Sequence, residues 1–312
     1  MQWVRGLYNL SEGHSGCVAT IGNFDGVHIG HRAILSRLCE RARDFALPSA
    51  VVLFEPQPRE YFSPENAPAR LSRLRDKLTE FAALNIDQVL ILAFNRRLSQ
   101  LSAEDFIQQV LARGLAVKHL EVGDDFRFGA KRRGDFALLE QIGKQQGFAV
   151  EAAQTVLFEG ERVSSSRVRC ALAAGDFAQA KALLGRPFAI TGRVIEGQKL
   201  AATLGTPTAN IQLCRRHAPL HGVFVVSVKL NGKNLKGVAN IGTRPTVAGD
   251  GRAHLEVHLL DFSANLYGKR LAVTFHHKLR DEQRFACLDA LKAAIAADIA
   301  AAHTYLLQKT PR

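Results

Sequence analysis

Residues 17–31 read CVATIGNFDGVHIGH, an apolar run followed by a turn with three glycines and two histidines. Cys17–Ile21 has the length of a short strand. Beyond His31 the apolar positions Leu35, Leu38, Cys39 and Ala42 fall on one face of a helix, and Pro48 marks its end. Strand, glycine-rich turn and amphipathic helix make the opening unit of a parallel α/β sheet, and such sheets bind ligands beyond the carboxyl ends of their strands.

The same alternation continues downstream. Ala50–Phe54 (AVVLF) and Val89–Phe94 (VLILAF) are continuous apolar runs, which suit strands buried on both faces. Ser102-Ala-Glu-Asp105 resembles a capping box ahead of a helix over Phe106–Ala112. Leu120–Val122 reads as a further strand and Phe136–Gln145 as a further helix. After Gly185-Arg-Pro187 the pattern changes to strands with little helix between them. Val223–Leu230 runs into Asn231-Gly232, a two-residue hairpin signal. Leu255, Val257 and Leu259 alternate with Glu256 and His258, and Leu271–Phe275 is another strand. An amphipathic helix over roughly 283–307 closes the chain. The expectation is a doubly wound parallel α/β domain over 1–185 and a small β-barrel with a terminal helix over 186–312.

With 312 residues, two domains are the prior. The net charge of +12 is compatible with polyanionic partners or with spare surface lysine and arginine. No run of five like charges occurs, and aromatics at 7% give no interleaved basic and aromatic strip for single-stranded nucleic acid. The cysteines, Cys17, Cys39, Cys170, Cys214 and Cys287, are odd in number and contain no CxxC pair, as expected of reduced thiols in a cytoplasmic protein. The start MQWVRGLYNL has no apolar signal core, and no run of 18 apolar residues is present, so no membrane span is expected.

The turn after Ile21 is neither GxGxxG nor GxxxxGK[ST]. What remains is His28-Ile-Gly-His31 at the helix start. Backbone amides there attract anions, and two imidazoles three residues apart face the same side of the turn. A metal site would need third and fourth ligands that no nearby Cys or His supplies. A plain tight corner stays possible on these residues alone.

GNFDGVHIGH resembles the signature of the nucleotidyltransferase superfamily, and its GNFDGVH form is similar to that of the bacterial bifunctional riboflavin kinase/FAD synthetases. Phe54-Glu-Pro-Gln-Pro58, Val122-Gly-Asp-Asp-Phe-Arg-Phe-Gly129 and Val163-Ser-Ser-Ser-Arg-Val-Arg169 resemble later motifs of that family, in order. The resemblance implies an N-terminal Rossmann-like nucleotidyltransferase domain that joins FMN to the AMP part of ATP. It places Gly22, Asn23, Phe24, Gly26, Gly30, His28 and His31 at the ATP phosphates. Ser164, Ser165 and Arg169 would form a second phosphate clamp, and Phe54, Phe62, Phe126 and Phe128 would contact flavin. Taken singly, the serines also read as an ordinary helix cap and each phenylalanine as a core residue.

In the second half, Leu204-Gly-Thr-Pro-Thr-Ala-Asn210, Gly237-Val-Ala-Asn-Ile-Gly-Thr-Arg-Pro-Thr246 and Leu255-Glu-Val-His-Leu-Leu-Asp261 resemble the flavokinase motifs. By that resemblance Thr208 and Asn210 contact Mg²⁺ and ATP phosphates, Glu256 is the general base, and Arg280, Glu282 and Phe285 line the flavin side. Glu256 alternates with Leu255 and Val257, so it points away from the packed side of its strand. The family's usual Gly-Arg and Phe are replaced by Ala201, Ala202 and Thr206, which bears on ATP binding. The expected substrates are riboflavin, FMN and ATP, with FAD as product, and neither nucleic acid nor membrane as partner. Another nucleotidyltransferase, or a basic tRNA-binding or tRNA-charging protein, is the alternative.

Overall fold

A computed structural model describes residues 1–10, 16–197, 206–213, 215, 217–243 and 253–309. The chain forms two compact units, Met1–Pro68 with Ser72–Ser164, and Ala69–Leu71 with Ser165–Arg312.

The first unit contains β1 (Gln2–Arg5), β2 (Cys17–Ile21), α1 (Ile29–Asp44), β3 (Ser49–Glu55), α2 (Pro58–Phe62), α3 (Leu74–Ala83), β4 (Gln88–Ala93) and α4 (Arg96–Ser99). It continues with α5 (Ala103–Phe106), which runs on as a π-helix over Ile107–Gly114, then β5 (Val117–Val122), α6 (Phe136–Gln146), β6 (Ala149–Ala152), and the short pair β7 (Leu157–Phe158) and β8 (Glu161–Arg162). The main sheet has the order β1-β4-β3-β2-β5-β6 and is parallel throughout. Its apolar runs are buried on both faces, as their lack of alternation required. Val18, Val51, Leu53, Val89 and Ile91 pack with Leu35, Leu38 and Phe81 on one side. Ala19, Ile21, Val52, Leu90 and Leu92 pack with Phe106, Ile107 and Leu139 on the other. From β2 the chain winds first towards β3 and β4, later towards β5 and β6. The turn after β2 therefore opens at the topological switch point, where such sheets leave a crevice.

The second unit contains α7 (Ser165–Ala174), α8 (Phe177–Leu184), β9 (Ala189–Ile195), β10 (Ala209–Ile211), β11 (Gly222–Leu230), β12 (Lys233–Thr243), β13 (Ala253–Leu259), β14 (Arg270–Arg280) and α9 (Leu288–Lys309). Six strands close into an antiparallel barrel, β10-β13-β12-β11-β14-β9. The β11–β12 hairpin turns at Asn231 (φ 49°) and Gly232 (φ 78°), the left-handed pair that the Asn-Gly dipeptide supplies. Barrel β14 runs on to Arg280, past the expected Leu271–Phe275, and α9 starts at Leu288, not near 283. His277–Arg280 extend β14 because β11 continues to pair with this segment as far as Val223 opposite Arg280. Composition alone makes α9 long and apolar enough to cross a membrane. Here it docks on the barrel: Ala302 packs with Val223, Val225 and Val238, and Asp298 takes both ends of the Arg280 guanidinium at 2.8 Å. Among the described cysteines, Cys17, Cys39, Cys170 and Cys287 are free thiols. Cys214, Ala201, Ala202, Leu204-Gly205 and Arg244–Thr246 lie outside the described residues.

Candidate active sites

The first site is the turn between β2 and α1. His28 is the N-cap residue of α1, and its Nδ1 accepts a hydrogen bond from the His31 amide at 3.2 Å. That bond fixes the tautomer: Nδ1 accepts, so the proton of a neutral His28 sits on Nε2. The His28 and His31 rings stack with centroids 3.6 Å apart. Burial pushes the His31 imidazole well below its ordinary pKa, and the neighbouring His28 and Lys77 push the same way. His31 is therefore neutral at pH 7. The first turn of α1 carries no acidic residue, so its free amides and dipole face an anion without competition.

The loop is held in a demanding shape. Phe24 (φ 46°), Gly26 (φ 83°) and Val27 (φ 43°) all adopt left-handed backbone, two of them without a glycine's freedom. Ser72 Oγ accepts from the Gly26 amide at 2.9 Å, while Asp25 Oδ1 accepts from the Ser72 amide at 3.1 Å. Lys77, fully buried on α3, donates to the Asn23 carbonyl at 2.7 Å. Asn23 itself is exposed at the lip, and Phe24 is buried against His31 and Phe81. A side chain at Gly30 would press on the His28 ring, and at Gly22 on the Phe24 ring. Ser72 and Lys77 were missed by sequence reasoning. The one signal available was a lysine at an inward position of α3, with Leu74, Leu78 and Phe81 around it.

Around the adjacent strand ends, aromatic rings form a chain. Phe54 meets Phe94 at 5.8 Å and Phe106 at 6.3 Å. Phe62 and Tyr61 both lean on Phe94, and Phe106 meets Phe128, which stacks on Phe126. All four expected phenylalanines belong to this chain, and it adds Tyr61, Phe94 and Phe106. Phe62 stays 65% exposed, so this end of the chain is open to a planar ligand. Val163 lies beside Gly30 and brings Ser164, the next residue, towards the turn. Ser165 opens α7 in the second unit, where Arg169 Nε donates to the Ala69 carbonyl at 2.6 Å.

The second site lies on the outer face of the barrel. Leu255 and Val257 are buried inside, which turns Glu256 outward. Register places Asn210 of β10 opposite Glu256 of β13, and Glu256 opposite Asn240 of β12. Three polar side chains therefore stand in a row across three strands. The loop before β10 is tied down by His258 Nδ1 at 2.9 Å from the Pro207 carbonyl, which fixes Thr208 one residue on. Gly197 lacks a Cβ where the Asn210 amide lies, and Gly242 lacks one where the Glu282 carboxylate lies. Thr206 is half-buried beside this loop. Arg280 is held by Asp298 and lies 5.6 Å from the Phe285 ring centroid, so it anchors the segment leading to α9. Thr208 and Asn210 offer hard oxygen donors that fit Mg²⁺, a cation held by few protein oxygens and completed by phosphates and water, with Glu256 opposite Asn210.

Residues 10–167 match the family model described as FAD synthetase, and residues 184–306 match the one described as riboflavin kinase. A bifunctional riboflavin kinase/FMN adenylyltransferase of Pseudomonas fluorescens is 64% identical over 302 residues, covering 97% of both chains. One from Escherichia coli K12 is 54% identical over 300 residues, 96% of both. A solved structure named macrolide-efflux protein, from Streptococcus pneumoniae, has a TM-score of 0.79 at 25% identity and covers 96% of this chain and 98% of that one.

Proposed function

The chain belongs to the family of bifunctional riboflavin kinase/FMN adenylyltransferases, and from that footing we propose how its own residues divide the work. It is a transferase that phosphorylates riboflavin to FMN with ATP and adenylylates FMN with ATP to FAD and pyrophosphate. The observation that carries this reading is the pair of family matches, one on each half, with a distinct polar site in each. A tRNA-charging role would leave the barrel row of Asn210, Glu256 and Asn240 without a task.

In the adenylylation the FMN phosphate attacks the α-phosphorus of ATP and pyrophosphate leaves. The nucleophile arrives ready, so the protein aligns two anions and stabilises the charge that builds between them. His28, His31 and the α1 amides are assigned to the phosphates, with Asn23 at the lip and Gly22, Phe24, Gly26 and Gly30 shaping the turn. Ser164, Ser165 and Arg169 are assigned to the same phosphates. Phe54, Phe62, Phe126 and Phe128 are assigned to the flavin.

In the kinase half, Glu256 takes the proton of the riboflavin 5′-hydroxyl as that oxygen attacks the γ-phosphorus of ATP, whose bond to the bridging oxygen breaks to release ADP. Thr208 and Asn210 are assigned to Mg²⁺, which neutralises phosphate charge when bound. Arg280 and Glu282 are assigned to the flavin side, Arg280 through the segment it anchors. The two tasks are divided near residue 185. The cytoplasm, where riboflavin and ATP meet, is the proposed location.

Incubation with riboflavin, ATP and Mg²⁺, followed by chromatography, should yield FMN and then FAD. His28→Ala should cut FAD formation by about 10²-fold or more and leave FMN formation intact. Glu256→Gln should do the reverse, with supplied FMN still converted to FAD. Equal loss of both steps in either variant would remove the two-site assignment.

A further inference from the structure

Asn240 was no more than a letter in the Gly237–Thr246 motif, yet the barrel register puts it directly opposite Glu256, on the side away from Asn210. Paired residues of an antiparallel ladder share a face and lie about 5 Å apart. The Asn240 side chain therefore stands beside the proposed base. Ala239 and Ile241 on either side of it are buried in the barrel, which confirms that Asn240 faces out with Glu256. Its Oδ1 is closed off from solvent and has no hydrogen-bond partner among the described residues. An uncompensated amide oxygen is costly, and a ligand hydroxyl recovers that cost. Two residues further on, Gly242 leaves the room that the Glu282 carboxylate fills. The strip beside Asn240 is thus bounded by carboxylates at Glu256 and Glu282, with one amide that both donates and accepts.

That pattern suits a polyol, whose hydroxyls also donate and accept. Building on the kinase reading, we propose that Asn240 binds a hydroxyl of the riboflavin side chain next to the one delivered to Glu256. It would thereby select flavins with a polyhydroxylated chain at N10. Other flavins with a terminal hydroxyl would bind less well, because they leave the amide unpaired.

The test compares riboflavin with a flavin bearing a 5-hydroxypentyl chain at N10, which keeps the terminal hydroxyl and lacks the others. Wild-type protein should favour riboflavin about tenfold or more in kcat/KM. Asn240→Ala should bring that ratio close to one, and Asn240→Ser should restore part of it. A structural role alone would lower kcat/KM for both flavins alike and leave the ratio at its wild-type value, which would overturn the proposal. So would a wild-type ratio near one. An unchanged urea-unfolding profile, with residual phosphorylation of riboflavin, reports that the barrel of each variant is folded. If Asn240→Ala is lost to misfolding, the ratio in Asn240→Ser decides, an unchanged ratio again counting against Asn240. Wild-type protein that phosphorylates neither flavin would overturn the kinase reading itself.

Discussion

At Lys77 a charge is buried to hold a loop. Its ammonium donates to the Asn23 carbonyl at 2.7 Å and adds to the forces that keep His31 neutral. Taking an ammonium out of water is expensive, and an apolar side chain of similar length fills the same space without that cost. Lys77→Met should therefore change thermal stability little. The Asn23 carbonyl would lose its donor, however, and the left-handed turn from Phe24 to Val27 would lose one of its ties. FAD formation should fall about tenfold or more, since small displacements of aligned groups cost rate steeply. FMN formation should stay at the wild-type level. Parallel melting curves and product chromatography check this; a large loss of stability with unchanged FAD formation would reverse the assignment. The histidines of this turn were legible in the sequence because spacing alone reveals them. Lys77 and Ser72 were not, since their roles depend on a helix and a loop that come to the turn from some 50 residues on.

Among the elements, α1 and the β5–β6 edge enclose a cleft lined by Arg37, Arg41, Glu121 and Gln154–Val156. Glu121 is 1% exposed, and neither of its oxygens has a hydrogen-bond partner among the described residues. Arg37 approaches it at 3.9 Å, while Arg37, Arg41 and His119 all converge on Glu151. Burial outweighs Arg37, and Glu151 adds repulsion, so the Glu121 carboxyl is raised from 4.5 to about 7. In the unfolded chain it ionises near 4.5. Between those values the folded state holds a proton that the unfolded state has lost, so stability falls as pH rises. Below 4.5 both states are protonated and nothing is at stake; above 7 the full penalty of about 3 kcal/mol applies. Glu121→Gln should remove it. The variant should match wild type near pH 4 and exceed it by about 3 kcal/mol at pH 8 in urea unfolding. Taking the difference between the two proteins cancels the opposite trend from His31, whose lowered pKa favours higher pH. A constant difference at all pH values would show that Glu121 has the same pKa in the folded and the unfolded chain.

Across the whole molecule, the two architectures were readable because each leaves a distinct periodicity: continuous apolar runs for the parallel sheet, alternation and Asn-Gly for the barrel. Partnerships between distant segments were not. The Asn210–Glu256–Asn240 row is a matter of register, which no single strand reveals. The allegiance of α7 and α8 is a matter of packing. They belong to the same compact unit as the barrel, where Phe177 meets Phe224 edge-on at 5.8 Å and stacks over Phe275 at 6.3 Å. Phe224 and Phe275 are themselves fully buried, and Ala180, Leu183 and Leu184 of α8 are buried too. A fragment cut at the proposed functional boundary, 186–312, keeps every barrel strand and all of the kinase row but exposes these apolar surfaces. A fragment over 165–312 covers them. Loss of one large aromatic contact alone typically costs about 3 kcal/mol or more. The shorter fragment should therefore unfold at clearly lower urea than the longer one and bind an apolar dye, while both retain Glu256 in its register. Equal midpoints would mean that α7 and α8 contribute nothing to the barrel, and that residue 185 divides the chain in folding as well as in function.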